Sequence, residues 1–292
     1  MEAKTTTNNS PLRGLVLSGG GGRGAYQCGV YKYLEEKGLD PDILVGTSIG
    51  AINATAIASG MSAEELEEMW LSMNTGKVHR YRLDFWRLFN WRNILSTSPW
   101  EKTLQEQIDF GRIATSPKRL CITAVDIETG HLKVFTNKEI TVKHLLASCS
   151  IPVIYPWTRI GHSTYWDGGT MANTPLSPAI DEGAEEIYIV LLSPTGTRRM
   201  APPRNIVEGL SLAFELSLLA SFQADLKHLY TINKMCELGV DPDHRYITCH
   251  LIAPSQPVGL DLILRYERRH IQELIDLGYR DAKSVLSSGN YG

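Results

Sequence analysis

No stretch of the 292-residue chain approaches the ~18 consecutive apolar residues of a membrane span, so a transmembrane helix is not expected. Basic charge is not in excess either. Lys and Arg number 29 against 32 Asp and Glu, a net charge of −3, which argues against nucleic-acid binding because that needs a basic stripe. Cysteine is scarce: Cys28, Cys121, Cys149, Cys236 and Cys249 are odd in number, scattered, and form no C-x-x-C pair. That usage excludes a zinc ribbon or disulfide scaffold and fits the reduced thiols of a cytoplasmic protein. Met1 to Pro11 is polar and threonine-rich without an apolar run, so residues 1–11 are expected to form a flexible tail and not a signal peptide. Internal repeats and low-complexity blocks are also missing. What is present is globular composition, 43% hydrophobic and 21% charged, in a chain long enough to bury a core that can hold a strained site.

From Leu12 onward, short apolar runs alternate with amphipathic stretches. Leu15-Val16-Leu17 predicts a buried strand, then a glycine cluster, then a helix from about Ala25 to Glu36 that stops at Gly38. Ile43-Leu44-Val45 predicts a second strand, with a helix from about Ile49 to Ser59 after it. Ser62 with Glu65 is a capping-box signature for a helix through about Met73. Further strands are expected at 120–125, 132–135, 187–192 and 246–252, and helices near 99–109, 141–148, 176–183, 205–236 and 266–287. Such alternation predicts βαβ units, hence an α/β domain whose mostly parallel sheet is covered on both faces. The helical stripe Ile271, Leu274, Ile275, Gly278, Ala282, Val285 and Leu286 is expected to face the core, and Arg198–Arg204 to be an exposed loop or hinge.

Ser18-Gly19-Gly20-Gly21-Gly22-Arg23-Gly24 lies between a predicted strand and a predicted helix. Successive glycines cost backbone entropy, so the loop needs their freedom or a close backbone approach. Gly19, Gly21 and Gly24 satisfy the G-x-G-x-x-G spacing of a dinucleotide fold. That fold also places an acidic ribose anchor at the end of the second strand, where this chain has Thr47-Ser48. A P-loop would require Gly-Lys-Ser/Thr where this loop ends in Gly24-Ala25. An oxyanion hole, with backbone N–H groups at a helix start facing developing negative charge, is the competing reading, and a plain tight turn is the simplest.

Gly46-Thr47-Ser48-Ile49-Gly50 is G-x-S-x-G, in the strand–turn–helix context that forces a serine out with its hydroxyl exposed. Following a glycine loop, it supplies the nucleophile an oxyanion hole lacks, and the pair favours acyl transfer over cofactor binding. An activated serine needs a proton acceptor. None of the eight histidines (His79, His131, His144, His162, His228, His244, His250, His270) lies in a turn that marks it as one. Trp166-Asp167-Gly168-Gly169, after a short predicted strand at 164–166, is either a β-turn or the site of a carboxylate base facing Ser48.

With these motifs in this order the chain resembles the patatin-like phospholipases. The resemblance rests on G-G-G-x-R-G at Gly19–Gly24, G-x-S-x-G at Gly46–Gly50, Asp167-Gly168-Gly169, and Ala147-Ser148-Cys149-Ser150-Ile151-Pro152, similar to an A-S-x-x-x-P block. It implies a three-layer α/β/α fold related to cytosolic phospholipase A2, with a catalytic region over 13–182 and residues 183–292 completing the same domain, largely helical. It also implies a Ser–Asp dyad without histidine: Ser48 as nucleophile, Asp167 as general base, the N–H groups of Gly20, Gly21 and Gly22 as oxyanion hole, and Arg23 holding or polarising that loop. Gly169 stands where plant members usually carry Ala. No cofactor or metal is implied. The expected substrate is a phospholipid or lysophospholipid, met by transient contact with a membrane surface. An acyltransferase or thioesterase using the same acyl-enzyme, or a non-catalytic lipid- or partner-binding module, are the alternatives.

Residues 70–100 hold Trp70, Trp86, Trp91 and Trp100 with Tyr81, Phe85, Leu88 and Phe89, interleaved with Arg80, Arg82, Arg87 and Arg92. Aromatic and cationic side chains together suit a lipid interface, with Trp86, Phe89 and Trp91 as candidates, or else the rings pack on the core.

Overall fold

A computed structural model describes residues 11–81, 94–194, 202–204, 206–240 and 245–287. The first half of the chain forms β1 (Arg13–Leu17), α1 (Ala25–Glu36), β2 (Ile43–Thr47), α2 (Ile49–Ala58) and α3 (Ala63–Ser72). A short α4 (Thr75–Val78) and the two-residue strands β3 (Arg80–Tyr81) and β4 (Leu95–Ser96) lead to α5 (Ser98–Gln107) and α6 (Phe110–Ile113). Next come β5 (Arg119–Asp126), β6 (His131–Thr136), α7 (Val142–Ser148), β7 (Thr158–Ile160) and β8 (Ser163–Asp167). The remaining elements are α8 (Ser177–Asp181), β9 (Glu186–Val190), α9 (Ile206–Glu237), β10 (Thr248–Ile252) and α10 (Arg268–Ser287). Residues 183–292 therefore contribute two strands beside their helices.

The strand order is β10-β9-β1-β2-β5-β8-β7, with β6 also on β5. Neighbours from β10 to β5 are parallel, whereas β8, β7 and β6 are antiparallel additions. Period-2 alternation sorts the side chains of β1 onto two faces. Leu15 and Leu17 join a buried cluster with α1, α2, α3 and α10, while Val16 joins another with Ile187, Ile189, and Phe222, Leu229 and Ile232 of α9. Two cores, one on each side of a sheet, make the three layers.

Helix α10 uses the expected stripe: Ile271, Leu274, Ile275, Gly278 and Ala282 are buried, and Val285 and Leu286 pack partly buried against the same core. It lies directly on α1. A side chain at Gly29 would strike the Ile275 carbonyl, and one at Gly278 would strike that of Tyr26, so reciprocal glycines set how closely the two backbones approach. Ser62 caps α3 with both halves of the capping box made. Among the described residues, no helix is long and apolar enough to cross a membrane.

Trp70 and Trp100 are buried core residues, so the interfacial reading does not extend to them. Trp86, Phe89 and Trp91 lie outside the described residues, as do residues 1–10 of the tail and 198–201 of the proline-arginine segment.

Candidate active site

Ser48 and Asp167 are brought together by the way three strands share β5. Strand β2 runs along β5 from Ile43 opposite Arg119 to Thr47 opposite Thr123. The other edge of β5 is occupied by β6 over Cys121–Asp126. Strand β8, which pairs with Ala124–Asp126, must therefore share the edge used by β2, and it arrives from the opposite direction. The two strands meet end to end: Thr47 sits opposite Thr123, and Asp167 opposite the next residue, Ala124. Ser48 is one residue beyond the end of β2.

The elbow is strained. Ser48 has φ 56° and ψ −124°, a region that non-glycine residues rarely occupy. Two contacts from the Ala147–Pro152 block hold the pair in place. The Ser48 amide donates to the Ser148 hydroxyl at 2.8 Å, and the Asp167 amide donates to the Ser150 carbonyl at 3.0 Å. One short segment thus clamps the backbone of both residues. Gly50 opens α2 so close to β1 that any Cβ there would strike the Leu17 carbonyl.

Asp167 is buried and accepts a hydrogen bond from the Gly169 amide at 2.7 Å. Burial pushes its carboxyl up from the ordinary 3.8 to about 7, although hydrogen bonds from the Ser48 hydroxyl and the Gly169 amide pull the other way. The Cys149 thiol, also beside Ser48, is pushed up by burial and by the Asp167 charge. At the pH of most cells such a carboxylate is a far better proton acceptor than an exposed aspartate.

The glycine loop passes directly beside this pair: a Cβ on Gly19 would lie 3.1 Å from the Ser48 Cβ. Gly21 has φ 60° and begins a 3-10 turn, Gly21–Gly24, that runs into α1. Among the described residues, the amides of Gly20, Gly21 and Gly22 have no acceptor. Buried Arg23 folds back, its Nε donating to the Gly20 carbonyl at 3.2 Å, so it braces the loop from behind.

A buried polar network locks the loop to the elbow helix. Gln27 Nε2 donates to the Ser18 carbonyl at 2.7 Å. Asn53 Nδ2 donates to the Gly24 carbonyl and to Gln27 Oε1, and Asn53 Oδ1 accepts from Trp70 Nε1. From the other side, Asn173 takes the Gly19 amide on its backbone carbonyl at 3.1 Å. Gln27, Asn53, Asn173 and the clamp role of Ser148 escape sequence reading. Asn173, four residues past Gly169, and Ser148, inside a quoted motif, offer at most a positional hint; Gln27 and Asn53 look like ordinary helix residues.

The cavity beside Ser48 is about 20 Å³, room for roughly one water. Ile49, Val78, Trp100, Cys149, Ile151 and Tyr155 wall it, and Ile263, Leu264 and Tyr266 roof it. The roof, which includes the 3-10 turn Leu260–Ile263, rests on the glycine loop. A Cβ on Gly21 would strike the Ile263 carbonyl, and Tyr266 stacks on Trp70 with ring centroids 6.3 Å apart.

Fold and site together define a three-layer α/β protein that presents a strained serine to a buried carboxylate at the carboxyl ends of its parallel strands. The chain belongs to the patatin-like phospholipase family, whose model matches residues 15–180. Over 242 residues it is 27% identical to the uncharacterized protein YqhO of Bacillus subtilis, covering 73% of this chain and 82% of that one. It is 26% identical over 206 residues to the lysophospholipase NTE1 of Yarrowia lipolytica, covering 69% of this chain and only 14% of that relative. The crystal structure of VipD from Legionella pneumophila aligns over 96% of this chain and 67% of that one, at 16% identity and a TM-score of 0.49. Membership of the family supports lipid hydrolase activity.

Proposed function

We propose that the protein hydrolyses fatty-acyl esters of phospholipids or lysophospholipids through Ser48 and Asp167, with the Gly20–Gly22 amides as oxyanion hole. The observation that carries this reading is the end-to-end meeting of β2 and β8 on β5, which sets a strained serine against a buried carboxylate. The likeness to a lysophospholipase adds the substrate class.

In the first step Ser48 Oγ bonds to the ester carbonyl carbon while its proton passes to Asp167. The carbonyl π-bond breaks and the oxyanion is met by the Gly20–Gly22 amides, which have no other acceptor among the described residues. The C–O bond to the leaving alcohol then breaks, and Asp167 returns the proton to that oxygen. Water attacks the acyl-enzyme, its proton goes to Asp167, and Ser48 leaves with that proton as free fatty acid is released. No metal or cofactor enters either step. The raised affinity of Asp167 for a proton is what lets a carboxylate serve without a histidine.

The test is labelling by a fluorophosphonate probe, with fatty-acid release from mixed phospholipids followed by mass spectrometry. Wild type is expected to label and to release fatty acid. Ser48→Ala should do neither, and Asp167→Asn should lose about 10³-fold or more in turnover. Asp167→Asn within tenfold of wild type would sink the assignment of the base. Transfer of the acyl group to an added alcohol or thiol in preference to water would instead make the protein an acyltransferase.

A further inference from the structure

The turn Ile151–Tyr155 is closed by a hydrogen bond from the Tyr155 amide to the Ile151 carbonyl, 2.9 Å. At its tip Val153 has φ 70° and is 70% exposed. A β-branched side chain is among the least suited to that backbone, and leaving it in water contributes nothing to folding. The position thus carries two penalties that an asparagine would remove, and neither is repaid within the described fold. Ile94, 42% exposed, lies alongside, its amide donating to the Val153 carbonyl at 3.1 Å. Trp157, on the same segment, is exposed as well.

What this patch would meet follows from what it joins. Both ends of the turn belong to the candidate site, because Ile151 and Tyr155 line the cavity beside Ser48. The apolar tip is therefore continuous with the wall of the cavity beside Ser48. Exposed cations flank it: Arg80 on β3, whose partner strand β4 is hydrogen-bonded to Ile154, and Arg159 on β7, two residues past Trp157. Apolar side chains at a tip with exposed arginines on the adjoining strands match the acyl and phosphate layers of a bilayer.

We propose that the tip formed by Val153 and Ile94 inserts into an anionic phospholipid surface and so holds the cavity wall at Ile151 and Tyr155 against lipid. The partner's identity as lipid rests on the lipid-hydrolase reading above, but its test does not depend on turnover. Ser48→Ala protein, which leaves the lipid intact, is mixed with vesicles of phosphatidylcholine and phosphatidylglycerol and sedimented, alone and with Val153→Asn added. Asparagine suits a positive φ, so the double variant should melt no lower than its parent, which checks the fold. Its partitioning onto vesicles is expected to fall about tenfold, the loss of one inserted aliphatic side chain, and Ile94→Asn added to it should deepen the loss.

Equal partitioning with and without Val153→Asn, or no vesicle binding by the parent, overturns the proposal; in the second case the patch would be a protein-docking surface. Vesicle binding that depends on Val153 in a protein whose wild type hydrolyses no ester would support the surface while the hydrolase reading failed.

Discussion

Asp167 is where a single residue sets the response of the molecule to pH. Its carboxyl, pushed up to about 7 by burial, must be ionised to accept the Ser48 proton in the proposed mechanism. Turnover is therefore expected to rise with one proton's dependence through about pH 7 and to level off above it. The same residue taxes folding. A folded value raised above the unfolded 3.8 means that the folded state binds the extra proton between about pH 4 and 7, so this contribution weakens as pH rises across that window and is constant above it. Asp167→Asn should thus be inactive yet melt higher than wild type at pH 8, with the gap shrinking toward pH 4. At ~1.4 kcal/mol per tenfold in proton affinity, about 4 kcal/mol is the ceiling. Melting curves of both proteins at pH 4.5 and 8 check this, and a gap that does not grow with pH would refute it.

At the scale of elements, α10 decides whether the site has a roof. It packs on α1 by backbone approach at Gly29 and Gly278, and by the Tyr26 hydroxyl donating to buried Asp281 at 3.1 Å, where the Ser255 amide also donates. Helix α1 begins at the glycine loop, so a displaced α10 moves both the loop and the roof that precedes it. Gly278→Ala drives a methyl into the Tyr26 carbonyl and should cost ~1–3 kcal/mol by denaturant unfolding. Ala at exposed Gly130, whose φ is positive but which has open space around it, is the comparison: it should cost less, from backbone strain alone.

At the scale of the whole molecule, the site as it stands is shut. Ligand pockets for molecules of lipid size run to ~300–1,000 Å³, whereas the cavity beside Ser48 holds roughly one water. The roof at 260–266 must therefore move for an acyl chain to enter. Hydrogen exchange checks this directly. Amides of residues 259–266 should exchange faster once a long-chain alkyl fluorophosphonate is bound to Ser48, and much less so with a short-chain one. Equal protection in both adducts would place the acyl chain elsewhere.

How much of this was legible beforehand follows the range of the interactions. The alternation from Leu15 to Ile252, the capping box at Ser62 and the G-x-S-x-G elbow are local patterns, because period, cap and turn depend on residues within a few positions of one another. Ser48 could be picked out from its turn, and Asp167 from its turn together with the family resemblance. Their meeting could not, since it depends on β2 and β8 sharing one edge of β5, a pairing between segments over a hundred residues apart. For the same reason the antiparallel placement of β6 and β7, the clamp from Ser148 and Ser150, and the Gln27–Asn53 network went unseen. Trp70 and Trp100 could be read as interfacial or as core until the fold buried both against Tyr266. Sequence alone determined the elements and the layers, through local backbone and periodicity, and a family resemblance added the two candidate side chains. Only the tertiary structure decided that those side chains face one another, that burial raises the proton affinity of Asp167 to near neutral pH, and that a roof closes over them, because desolvation and long-range contact exist only once the chain has packed.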